Sequence, residues 1–228
     1  MSIHRLRVPL ILTLAFTTLL AQAGTSLAIS TEWKAAAANT FGSSYWAYFL
    51  HNNPTPPTAN TTAKFNLAMD PTAPTAATLY DYDTNCGGSG SGRTLARVAP
   101  SPTQATTCDY ANWRTATLSS ALTLTGNVTL DVWLETNTST ASRTGALAIY
   151  LRDYNPTSST YTEITNLVST STYAVGLTWY ERVITVTASY TLAVGHQLEL
   201  KLEASTAGQA SLLVAYDTTT RSTFLRLR

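Results

Sequence analysis

Leu122-Thr-Leu-Thr-Gly-Asn-Val-Thr-Leu-Asp-Val-Trp-Leu-Glu135 carries an apolar residue at every second position on either side of Gly126. That is the period of a β-strand with one face buried and the other wet. Val128, Leu130, Val132 and Leu134 share the inner face; Thr129, Asp131, Trp133 and Glu135 share the outer one. Trp133 therefore stands in a polar row, where burial in a core does not account for it.

The same alternation recurs further along the chain. Ala146–Asp153 sets Leu147, Ile149 and Leu151 inward and Tyr150, Arg152 and Tyr154 outward. Gln197–Glu203 turns Leu198, Leu200 and Leu202 away from Glu199, Lys201 and Glu203. Tyr161–Val168, Trp179–Val186, Leu212–Tyr216 and Phe224–Leu227 are further strand candidates, as is Trp113–Ser119 before them. The aromatic run Tyr45–Leu50 reads as the first strand, ended by His51-Asn-Asn-Pro54 because proline lacks a ladder donor. A proline-punctuated crossover follows through Asp70-Pro71-Thr-Ala-Pro74, and Ala77–Asp83 is the next strand candidate. Eight to ten short strands separated by turn signals predict an all-β fold, a two-sheet antiparallel β-sandwich of jelly-roll type, over residues 45–228.

Composition agrees with one such domain. Charged residues make up 12% of the 228 and the formal net charge is +1. No long-range field is available to hold nucleic acid or an anionic membrane. Threonine is the commonest polar residue and favours pleated, half-buried surface over helix.

At the start, Met1-Ser-Ile-His-Arg-Leu-Arg7 precedes an apolar run from Val8 to about Leu20 and then Ala21-Gln-Ala23. A basic opening, a short apolar stretch and an A-x-A site predict a signal peptide over 1–23, and hence export. The run is shorter than the roughly 20 residues a membrane span needs, so no span is expected in the mature chain. Residues 24–44 read as a tether, with Thr31–Ala38 able to form a short helix capped by Thr31. In an oxidising compartment Cys86 and Cys108, the only two cysteines, are expected to form a disulfide across a glycine-rich loop. The glycines of that loop match neither a dinucleotide fingerprint nor a phosphate loop.

Ser119–Gly126 with Val128–Leu134, then Ile149–Asp153, then Tyr190-Thr-Leu-Ala-Val-Gly-His196-Gln-Leu-Glu-Leu200 resemble the galactose-binding-like jelly roll. In particular, residues 118–203 resemble the C-terminal domain of X-prolyl dipeptidyl-peptidase and cocaine-esterase-type hydrolases. In those enzymes the serine nucleophile sits on a separate α/β-hydrolase domain, and this sequence holds no G-x-S-x-G elbow. The resemblance thus implies a non-catalytic sandwich, in which His196 belongs to the turn of the family pattern.

Catalytic residues are not expected elsewhere. His51 and His196 read as turn or surface residues. Asp131 and Glu135 lie near 13 Å apart along an extended strand, too far for a glycosidase carboxylate pair unless another strand supplies a partner. Asp81-Tyr-Asp83-Thr-Asn85 offers alternating oxygens, but Cys86 and Gly92 stand where an EF-hand needs glycine and glutamate. Galactose-binding-like modules often carry a structural calcium, and the resemblance points to Asp81 or Asp83 for it.

The outer row remains. Trp133 between Asp131 and Glu135, with Tyr150, Arg152 and Tyr154 on an expected neighbouring strand, has the makings of an aromatic and charged platform of the kind that holds sugars. The plainer alternatives are that loops cover the row, or that Arg152 pairs with Asp131 or Glu135. Asn60, Asn127 and Asn137 begin glycosylation sequons. The expected partner is a cell-surface glycan or an extracellular protein, a second copy docking through residues 24–44 included. Three functions follow in order: a secreted interaction or structural sandwich, a lectin-like module, and a hydrolase.

Overall fold

The structure, a computed structural model, describes residues 46–52, 67–80, 82, 91–99, 108–136, 141–174 and 178–227. Its strands are β1 (Trp46–Leu50), β2 (Leu67–Asp70), β3 (Arg93–Leu95), β4 (Arg97–Val98), β5 (Tyr110–Arg114), β6 (Leu122–Thr136), β7 (Arg143–Asn155), β8 (Thr160–Tyr173), β9 (Tyr180–Leu192), β10 (Gln197–Ser205), β11 (Leu212–Ala215) and β12 (Phe224–Leu227). Among the described residues there is no helix.

Two sheets face each other. In the first, β9 lies along one edge of β6, and the other edge of β6 is shared by β12 and then β11, which lead to β1 and β3. In the second, β8, β7, β10 and β5 run in that spatial order, with β4 beside the end of β10. Strand β2 pairs with β1 and with β5 and so joins the sheets. Among these strands all pairings are antiparallel except β2 with β5 and β4 with β10.

The inner rows meet as the alternation requires. Leu124, Val128, Leu130, Val132 and Leu134 of β6 share one buried cluster with Leu147, Ile149 and Leu151 of β7 and Leu198, Leu200 and Leu202 of β10. Each such side chain contributes roughly 1.5–3 kcal/mol by leaving water. Gly126 takes φ +91, a conformation that costs any residue with a Cβ. The two segments beside it nevertheless form one 15-residue strand whose register with β9 is unbroken from Leu122 to Leu134. At one end Trp113 meets Tyr216 edge-on at 5.1 Å, and Tyr82 lies tilted against Tyr216 at 4.7 Å.

Three sequence expectations need correction. The strand read at Trp113–Ser119 lies earlier, at Tyr110–Arg114, and residues 115–121 are not strand. Residues 77–80 form no strand; Leu79 and Tyr80 lie in an irregular segment packed against the core. The second strand is instead Leu67–Asp70, immediately before Pro71 in what reads as crossover. The proposed helix at Thr31–Ala38, the leader and the tether lie outside the described residues.

Candidate functional site

The outer row of β6 is built by its neighbours. Trp133 stands opposite Glu181 of β9, and Asp131 opposite Val183 of β9 and Phe224 of β12. Asp131 is buried, and its Oδ2 accepts a hydrogen bond from Arg226 Nη2 at 3.0 Å. Its Oδ1 has no hydrogen-bond donor, and the Glu181 carboxyl of β9 lies against Asp131. Burial first, and then the charge of Glu181, push the Asp131 carboxyl up to about 6, with Arg226 opposing. Glu135 is also buried, and burial raises it against the pull of Arg221. Trp133 is half-buried, its backbone N–H given to Thr223 Oγ1 at 3.2 Å.

Tyr150, Arg152 and Tyr154 do not join that row. Strand β7 pairs with β10 and β8, not with β6, so the two triplets occupy the outer faces of opposite sheets. Apolar alternation assigns a residue to a face but cannot say which strands are neighbours. Arg152 accordingly pairs with neither Asp131 nor Glu135. Its Nε donates to Glu199 Oε1 at 2.5 Å, and its Nη2 reaches the same oxygen. Glu199 Oε2 accepts from Arg114 Nε at 2.5 Å and from Asn112 Nδ2 at 2.8 Å. One fully buried carboxylate thus receives two guanidiniums and an amide.

Tyrosines close over these charges. Arg114 lies 3.4 Å from the ring centre of Tyr154 and Arg152 lies 4.1 Å from that of Tyr161. Lys201, ion-paired to Glu203 at 2.6 Å, sits against Tyr110 and Tyr150 at 4.5 and 5.4 Å. Burial lowers the Lys201 ammonium, and burial with the charge of Glu203 pushes the Tyr150 phenol up to about 12. Glu199, Lys201 and Glu203 are as buried as the leucines between them. The outer face of the second sheet is a second, polar core.

Both described histidines are fixed by aspartates. His51 is fully buried, not the surface turn residue its sequence context suggests. Its Nδ1 lies 2.9 Å from Asp217 Oδ1 and its Nε2 3.3 Å from Asp70 Oδ1. The backbone explains this: β1 delivers His51 between β2, which ends in Asp70, and the turn that holds Asp217 at φ 54. Asn52 and Arg93 extend the network to the Tyr216 hydroxyl. His196, partly exposed, contacts Asp153 Oδ1 through Nδ1 at 2.7 Å, while Tyr190 donates to Asp153 Oδ2 at 3.0 Å. Among the described residues neither histidine bonds a serine, threonine or cysteine side chain.

Asp81 and Asp83 lie outside the described residues, and so does Cys86. Cys108 is not a free thiol. Among the described residues no cluster of three or more His, Cys, Asp or Glu is arranged to hold a metal, and no helix is long and apolar enough to cross a membrane.

The residues missed by sequence reasoning are Glu181, Arg226, Glu199, Arg114 and Asn112. Only Glu199 left a trace, in the charged row Glu199-x-Lys201-x-Glu203 on a strand with leucines between.

No family profile and no curated protein matches the chain. Solved structures do. An aminopeptidase from the marine sediment archaeon Thaumarchaeota archaeon matches over 82% of this chain at TM-score 0.54 and 11% identity. An alpha-amino acid ester hydrolase matches over 79% at TM-score 0.51 and 13% identity. The chain spans 37% and 35% of the length of those two proteins. The likeness to both is one of fold, an all-β sandwich over part of each of those proteins.

Proposed function

We propose that the chain is a non-catalytic, exported β-sandwich that works through its surfaces as an interaction or structural module. The observation that carries this reading is where its reactive side chains go. Glu199, Arg152, Lys201 and Glu203 are buried against one another, and His51 and His196 each set Nδ1 against an aspartate, with no serine, threonine or cysteine side chain bonded to either ring among the described residues. Acyl transfer needs a nucleophile within hydrogen-bond reach of its base. The purified chain, offered aminoacyl esters and aminoacyl anilides, should show no turnover above a heat-denatured control. Turnover abolished by His196→Ala would reverse the assignment.

A second reading rests on the row around Trp133. A half-buried indole beside a carboxyl pair and an arginine offers both a stacking surface and directed polar groups, the two elements of a sugar site. Glycan-array binding that disappears in Trp133→Ala would favour this lectin-like function. Signal on no glycan would return the chain to the first reading, with an extracellular protein as partner.

A further inference from the structure

The two sheets end in long edge strands on the same side, β8 and β9, which differ in one respect. Strand β8 is interrupted: its register with β7 shifts between Leu151 and Arg152, leaving Ile164 as the extra residue. Such bulges blunt an edge against foreign strands. Strand β9 has no such interruption. Among the described residues it pairs with β6 alone, without a register shift, over all thirteen residues from Tyr180 to Leu192. It contains no proline and no lysine, and its only charges, Glu181 and Arg182, stand together at its start. A regular edge with no device to repel another strand is a template for one.

From this we infer that β9 pairs antiparallel with β9 of a second copy about a two-fold axis through Val186, making a dimer with one continuous sheet. The β9 sequence suits itself in that register. Its inward residues are Ile184, Val186 and Ala188, and its outward ones Val183, Thr185, Thr187 and Ser189. Antiparallel strands keep side chains on matching faces only when inner residues oppose inner ones. Any two-fold centred on a residue does this, and one through Val186, the middle residue of Tyr180–Leu192, also pairs the strand over its whole length: Ile184 falls opposite the partner's Ala188, Thr185 opposite the partner's Thr187, and Val183, 60% exposed, opposite the partner's Ser189. Glu181 and Arg182 fall opposite the uncharged far end of the partner strand, so no like charges meet. Across the other edge of β9, Thr185 already pairs with Thr129 and Thr187 with Asn127. The dimer extends that ladder of small polar pairs, each a modest stabiliser. An isologous contact of this kind closes at two copies.

Sedimentation of the full chain over a roughly hundredfold concentration range tests the pairing. Wild type should approach twice the monomer mass. Thr185→Lys with Thr187→Lys sets like charges opposite each other twice across the axis, and should raise the dimer dissociation constant about tenfold or more. Thr185→Lys with Thr187→Glu makes both contacts attractive and should restore the dimer. Both sites are exposed, and an unchanged melting temperature would show that the fold survives. A monomeric wild type, a double-lysine variant that still dimerises, or a charge-swapped variant that does not recover would each overturn the inference.

Discussion

Arg152 and Glu199 stand directly opposite on β7 and β10, and the Arg152 Nε reaches Glu199 Oε1 at 2.5 Å with neither side chain open to water. A buried pair is poor evidence of net stability compared with an apolar pair of equal volume. Removing one member, however, leaves an uncompensated charge. Glu199→Gln keeps the shape and strands Arg152 and Arg114 together, so it should cost about 3–5 kcal/mol. Urea unfolding would read this directly, and a loss well below about 1 kcal/mol would show that the polar layer is wetter than described.

His51 makes stability depend on pH. Burial pulls its pKa down, but the hydrogen bond to Asp217 and the charges of Asp217 and Asp70 outweigh burial and leave it raised. A histidine held above its unfolded value stabilises the fold fully below about pH 6.5, and that contribution disappears as pH climbs through the folded value. Melting temperature should therefore fall from mildly acidic to alkaline solution. His51→Asn should flatten the profile, and an unchanged slope would contradict the Asp70–His51–Asp217 contact.

The Asp131–Glu181 pair acts in the same direction at lower pH. Asp131 titrates near 6 when folded and near 3.9 when unfolded, so the folded chain binds the extra proton between those values and loses stability as pH rises through them. At neutral pH, Asp131→Asn removes the repulsion and should raise the melting temperature, worth on the order of 1 kcal/mol after the loss of the Arg226 ion pair. A lower melting temperature in the variant would mean that Arg226, not Glu181, governs this site.

Gly208 is fixed by space. A Cβ there would come within 2.5 Å of the Ala146 nitrogen and 2.9 Å of the Gly145 carbonyl carbon, both of them backbone. Backbone in a paired strand cannot give way as a flexible side chain can. Gly208→Ala should cost about 1–3 kcal/mol, measured as a shift of the denaturation midpoint, and a silent substitution would place the 206–209 turn further from β7.

Much of the sandwich was legible because period-two alternation is a local signal. Strands β6, β7, β10 and β12 fall where it predicts, and so do the inner rows of β6, β7 and β10. Where the signal is weak, the reading slipped. Leu67-Ala-Met-Asp70 is too short to alternate visibly, whereas Leu79 and Tyr80 alternate in a segment that only packs on the core. The outer faces resisted for another reason. Arg152 and Glu199 are 47 residues apart in the chain, and only strand order and register bring them together. Asp131 found its missing carboxyl partner on β9 in the same way, and the single platform expected from Trp133 and Arg152 became two separate faces.

Amide hydrogen exchange along β10 tests the central claim, a sandwich with its charged residues sealed into structure. Strand β10 is paired along both edges and covered on both faces, so Leu198–Glu203 should exchange only through global unfolding, more slowly than the open-edged residues of β8. Exchange of the Glu199–Glu203 amides as fast as those of β8 would contradict it.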